Sequence, residues 1–228
     1  MKLRAAFILP TYNEAENLRE LVPRLAGLER QAEIVVVDDG SPDGTEQVAN
    51  ELAKQNPVRL LERRTKRGLA SAVVDGVKAA QAPVVVVMDA DLSHDEQIAP
   101  QLIAAIEAGS EVAVGSRFAS GGSTEDVLVR RWFSWCAKQV ARVVLGVRVQ
   151  DPMSGFFAIR RDDFLRVAQQ LKPRGFKILL ELLVRLKPTR VTEIGFRFRS
   201  RTKGESKLTL TIALQYFRMI FDLWRARR

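Results

Sequence analysis

A chain of 228 residues, 46% hydrophobic and 28% charged, is long enough to bury a substantial core, and its composition fits a folded body and not a disordered chain. Its single cysteine, Cys136, excludes an intramolecular disulfide framework, and its single histidine, His94, argues against a His-ligated metal or a Ser/His/Asp triad. The net charge of +9 is uneven: residues 1–114 carry 12 Lys and Arg against 18 Asp and Glu, whereas residues 115–228 carry 24 against 9.

An acidic half able to hold a cation therefore precedes a basic half suited to phosphates, nucleic acid or an anionic membrane face. The chain opens directly on an apolar strand pattern without the features of a signal peptide. No stretch reaches the roughly 18 apolar residues that span a bilayer. Strands are predicted at 5–9, 33–37, 58–61, 84–88 and 111–114, and helices at 14–28, 44–55, 69–80 and 95–108. That alternation predicts a parallel, doubly wound sheet, which binds ligands in the crevice at the carboxyl ends of its strands.

The strand ends carry the chemistry. After the first, Pro10 and Tyr12 can wall a flat base and Glu14 can accept from a ribose or base, although Asn13-Glu14 is equally an ordinary helix start. After the second, Asp38-Asp39 can read a base N–H and a ribose hydroxyl, or can simply close an Asp/Gly/Pro-rich turn. Four valines, Val84–Val87, mark a central strand, and Asp89-Ala90-Asp91 follows it. Carboxylates at i and i+2 can share one hard divalent cation that also holds a diphosphate, although Asp ends many strands without any metal.

Beyond residue 114 the pattern is less regular. A helix is predicted from 130 to 145, then Asp151-Pro152-Met153-Ser154-Gly155-Phe156-Phe157 and a short strand. Residues 208–224 place Leu210, Leu214, Phe217, Phe221 and Trp224 along one stripe and Thr211, Gln215, Arg218, Asp222 and Arg225 along another. Such an amphipathic helix, with a basic end, suits either the headgroup region of a membrane or packing against the core or a second subunit.

Pro-Thr-Tyr-Asn-Glu at 10–14, Val-Asp-Asp-Gly-Ser-Pro-Asp-Gly-Thr at 37–45, Arg67-Gly68-Leu69-Ala70 and Asp89-Ala90-Asp91-Leu92-Ser93-His94 together resemble the family 2 glycosyltransferases of the GT-A fold. Val114-Gly115-Ser116-Arg117, Arg130-Arg131, Asp151–Phe157 and Arg201–Leu208 are similar to the dolichol-phosphate mannose synthase branch. The resemblance runs collinearly over nearly the whole chain. It implies an α/β, Rossmann-like, mostly parallel sheet flanked by helices, with residues 1–207 as catalytic domain and 208–228 as amphipathic surface helix and basic tail. It implies transfer of a hexose from a nucleotide-sugar, GDP-mannose first and UDP-glucose as alternative, to a polyprenyl phosphate with inversion.

The same resemblance assigns Pro10, Tyr12, Glu14, Val37 and Asp39 to the nucleoside pocket. Asp89 and Asp91, with Ala90 alongside and Ser93 acting through water, would hold Mg²⁺ or Mn²⁺. Arg201 and Lys207 would neutralise the departing diphosphate. Arg117, Arg131 and Ser154 would receive the acceptor phosphate. Attachment to the cytoplasmic face of a membrane is then expected to be peripheral or supplied by a membrane-embedded partner subunit. A nucleotide-sugar-binding subunit without activity of its own is a further alternative, whereas a nucleic-acid-binding module leaves Asp89 and Asp91 unexplained.

Overall fold

A computed structural model describes residues 2–64, 68–124, 144–172, 177–199, 220–223 and 225. Strands β1 (Ala5–Thr11), β2 (Ala32–Asp38), β3 (Val58–Glu62), β4 (Val84–Val87), β5 (Val112–Ser116), β7 (Phe157–Arg160) and β8 (Val191–Gly195) form one sheet in the order β3-β2-β1-β4-β7-β5-β8. Neighbours run parallel except at β7, which is antiparallel to both β4 and β5. The sheet is thus mostly, not wholly, parallel. A small second sheet pairs β6 (Ser123–Thr124) with β9 (Arg197–Phe198).

Side-chain alternation along the buried strands feeds two cores. Phe7, Leu9, Ile34, Val36, Val84 and Val86 face a layer built from α1 (Ala15–Leu28), α2 (Thr45–Leu52) and α4 (Ala99–Glu107). Ile8, Val35, Val37, Val85 and Val87 face α3 (Leu69–Ala79), α5 (Arg161–Ala168) and α6 (Ile178–Leu186). Both faces of the central strands are covered, which is why β4 tolerates four valines in a row. At Gly76 of α3 an added Cβ would lie 2.6 Å from Ile8 Cγ2 and 2.9 Å from Val37 Cγ2, so glycine lets this helix settle on the sheet.

The predicted helix over 95–108 is broken: a 3₁₀ turn at Glu96–Ile98 precedes α4, whose first turn contains Pro100, where the missing N–H costs no intrahelical hydrogen bond. The predicted helix over 130–145 lies outside the described residues except for its helical last two positions. Of the C-terminal amphipathic segment, 220–223 and 225 are described and helical. Ile220 and Leu223 join the α3/α5/α6 core, whereas Phe221, on the predicted stripe, is 54% exposed. Among the described residues no helix is long and apolar enough to cross a membrane.

Candidate active site

The strand order reverses between β1 and β4, which opens a crevice at their carboxyl ends, and the loops after β1, β2, β4 and β5 meet there. Two of these loops are stitched together by short polar side chains. Asn13, in the left-handed region at φ 64°, donates its N–H to Ser41 Oγ (2.9 Å), Glu14 N–H to Thr45 Oγ1 (3.0 Å), and Ala15 N–H to Asp43 Oδ2 (3.1 Å). Asp38 closes its own turn by accepting from the Gly40 and Ser41 N–H groups and from Thr11 Oγ1. Burial favours the neutral form of Asp43, but hydrogen bonds from Thr45 and Ala15 outweigh it and hold this carboxyl below its ordinary range. Asp38 and Asp43 are therefore scaffold.

Of the residues assigned to the nucleoside, Pro10 and Tyr12 stand at the β1 tip, with Tyr12 44% exposed. Glu14 accepts from the Asn17 side-chain amide at 2.5 Å. Val37 has its side chain fully buried beneath α3, and its carbonyl accepts from Thr11 Oγ1 at 3.3 Å. Asp39, held to β1 by its N–H on Thr11 O (3.1 Å), has a nearly buried carboxylate paired with an equally buried Arg63.

At the β4 tip, Asp89 and Asp91 lie part-exposed on either side of buried Ala90. Leu92 adopts φ 60°, a conformation costing on the order of 1–3 kcal/mol for a non-glycine residue, and folds the chain back. As a result the Ser93 N–H (3.1 Å) and Oγ (2.5 Å) both donate to Asp91 Oδ1. Ser93 is buried, so its hydroxyl orients Asp91 and does not reach a ligand directly. His94 Nδ1 accepts the Asp89 N–H at 3.2 Å, which places a neutral ring's proton on Nε2, 4.0 Å from Asp89 Oδ2. Burial among Phe156, Phe196 and Phe198 keeps His94 below its ordinary pKa, against the pull of Asp89 and Asp91.

Gly155 closes this end: a Cβ there would lie 3.1 Å from Asp89 Oδ2, tight enough that the carboxylate would have to give by a few tenths of an ångström. Among the described residues no three His, Cys, Asp or Glu side chains converge on one point. Two hard carboxylates, one oriented by Ser93 and the other walled by Gly155, fit a cation that takes its remaining ligands from diphosphate oxygens and water, as Mg²⁺ does and Mn²⁺ also accepts.

Across the crevice Arg117 follows β5. Its N–H, Nε and Nη2 donate to the buried Asp151 carboxylate at 3.1, 2.8 and 2.9 Å, and its guanidinium lies 5.4 Å from the Phe118 and Phe198 ring centroids. The Asp151 N–H is in turn held by Glu193 Oε1 at 3.1 Å. Ser154, expected at the acceptor phosphate, is buried, and its hydroxyl is shared between the Phe156 N–H and carbonyl. Arg131, Arg201 and Lys207 lie outside the described residues. Sequence reasoning missed Arg63 and the roles of Asp151 and Gly155. Nothing local marked Arg63, which follows the part-exposed edge strand β3, or Asp151 as the partner of a residue 34 positions earlier.

A family model described as glycosyl transferase family 2 matches residues 6–167. The dolichol-phosphate mannosyltransferase of Pyrococcus furiosus is 45% identical over 98% of this chain, which spans only 64% of that protein. The protein of the same name from Saccharomyces cerevisiae is 35% identical over 98% of this chain and 88% of its own. Polyprenol monophosphomannose synthase of Mycolicibacterium smegmatis is 36% identical over 90% of this chain and 81% of its own. A solved structure of Mycobacterium tuberculosis glucosyl-3-phosphoglycerate synthase shares the fold, with TM-score 0.70 at 19% identity over 98% of this chain and 79% of that one.

Proposed function

The chain belongs to glycosyl transferase family 2, and from that premise we propose that it transfers mannose from GDP-mannose to a polyprenyl phosphate, inverting the anomeric centre. What carries the reading is one sheet end that bears both a carboxylate pair, Asp89 and Asp91, and an arginine, Arg117, in a chain whose relatives bear names of mannosyl transfer to polyprenols. Asp89 and Asp91 would hold Mg²⁺ or Mn²⁺, which when bound compensates the charge of the departing diphosphate. Pro10, Tyr12 and Asp39 seat the nucleoside, and Arg201 and Lys207 bind the diphosphate. Arg117 and Arg131 hold the acceptor phosphate in line with the anomeric carbon. A phosphate oxygen attacks that carbon while the bond to the nucleoside diphosphate breaks and its electron pair leaves with the diphosphate. The acceptor is already ionised, so no general base removes a proton, which suits a site whose one imidazole is buried. A membrane surface presents the acceptor, and the chain meets it peripherally or through a membrane-embedded partner.

The test is a donor panel (GDP-mannose, GDP-glucose, UDP-glucose) with one polyprenyl phosphate. GDP-mannose should give β-linked polyprenyl phosphate mannose, abolished by EDTA and restored by Mg²⁺ or Mn²⁺. Asp91→Ala, and less severely Asp89→Ala, should nearly abolish turnover. Preference for a UDP-sugar would overturn the donor assignment, and full activity in chelator would overturn the metal site.

A further inference from the structure

We propose that Arg63 is a positioning residue for the donor nucleotide: it acts through Asp39, fixing the carboxylate that meets the nucleoside. This rests on the nucleotide-sugar reading above. Arg63 stands just past β3, at the far side of β2 from the crevice, and only 5% of it is exposed. Its N–H is tied to Asp38 O at 2.8 Å, which turns the side chain back across the β2 tip. All three guanidinium nitrogens are engaged. Nε donates to Asp39 Oδ1 at 2.5 Å, and Nη1 donates to Ser71 Oγ at 2.9 Å and to Asp75 Oδ2 at 3.1 Å. Nη2 lies against the same Asp39 oxygen and donates to Gly68 O at 3.2 Å. The planar fork thus joins the β2 tip to the first turns of α3.

A buried ion pair is weak evidence of a stabilising role, because desolvating both charges offsets most of their attraction. What this one does supply is orientation. Asp39 Oδ1 is fixed by Arg63 and its Oδ2 faces the Gly68 N–H at 3.4 Å, while its backbone is bonded to the β1 tip beside Pro10 and Tyr12. The carboxylate is thereby directed without a contribution from the ligand, which removes an ordering cost at binding. Lysine cannot replace the fork: its single nitrogen cannot span Asp39, Gly68, Ser71 and Asp75 together.

The test is a double-mutant cycle on the full chain, read as donor KM, acceptor KM, kcat and Tm. Arg63→Lys should raise donor KM about tenfold and leave kcat and acceptor KM within about twofold, and in an Asp39→Asn background it should change donor KM less than about twofold. An equal rise in both backgrounds, or a lower Tm with unchanged donor KM, would show that Arg63 does not act through Asp39. If Arg63→Lys fails to fold, Asp75→Asn removes one anchor from the part-exposed side. It should raise donor KM about threefold, and an unchanged value overturns the proposal. Calorimetry of the wild type separates the two readings: failure to bind either GDP or UDP with Mn²⁺ defeats the nucleotide-sugar reading itself.

Discussion

Asp151 shows how a single buried carboxylate can govern a site it does not line. It receives three N–H groups of Arg117, and its own N–H is fixed by Glu193. Replacing it with Asn keeps the shape but removes the charge, and hydrogen bonds to charged groups contribute about 1.5–3 kcal/mol. Asp151→Asn is therefore expected to raise the KM for polyprenyl phosphate about tenfold while donor KM stays within about twofold, measured by steady-state kinetics with each substrate varied. Glu181, far from the crevice, bears on stability instead. Burial raises its pKa against the hydrogen bond from the Lys172 N–H, and its Oε1 has no hydrogen-bond partner among the described residues. The folded chain therefore keeps this proton to higher pH than the unfolded chain does. Glu181's contribution is most favourable below the ordinary carboxylate value and declines as pH rises through it toward the folded value. Glu181→Gln should accordingly raise stability at about pH 7.5 by about 1 kcal/mol, with the difference shrinking at about pH 4, as followed by thermal unfolding at both values.

Elements, in contrast to side-chain partners, were largely legible in the sequence. The five strands and four helices of the first half appear within a few residues of their predicted places because periodicity and turn residues are local signals. The direction of β7 was not legible, since Phe157–Arg160 is as apolar as a parallel strand and only its neighbours decide its sense. The site followed the same division. The tips carrying Asp39, Asp89 and Arg117 were readable, but Val37's inward side chain and Ser154's burial depend on which helix or turn covers them. Helix seating itself is testable at Gly76. Gly76→Ala drives a methyl into Ile8 and Val37, and overpacking of this kind costs about 1–3 kcal/mol. Thermal unfolding should show a Tm lower by several degrees, while GDP binding at temperatures where the variant is folded stays near wild type.

At the scale of the molecule, the acidic half supplies the tip bearing Asp89 and Asp91, and the basic half carries Arg117 and the C-terminal helix. Phe221 offers an apolar side chain to solvent beside the partly exposed Lys172–Asp222 pair, while Ile220 and Leu223 hold the helix to the core. Phe221→Glu should therefore leave the fold and the turnover of a short soluble acceptor intact, yet lower co-sedimentation with anionic vesicles about tenfold, as burying one Phe contributes about 1.5–3 kcal/mol. The sheet order also sets a timetable for assembly. β1, β2, β3 and β4 find their partners within the first 87 residues, except for the β4 edge that awaits β7. β5 pairs only with β7 and β8, both later in the chain, so during synthesis it has no strand to dock on until residue 157 has emerged. The strand that delivers Arg117 is thus the one left waiting. In pulse-labelled hydrogen exchange during refolding, β1 and β2 amides should gain protection before those of Val112–Ser116, so the Asp39 side of the crevice takes shape before the Arg117 side.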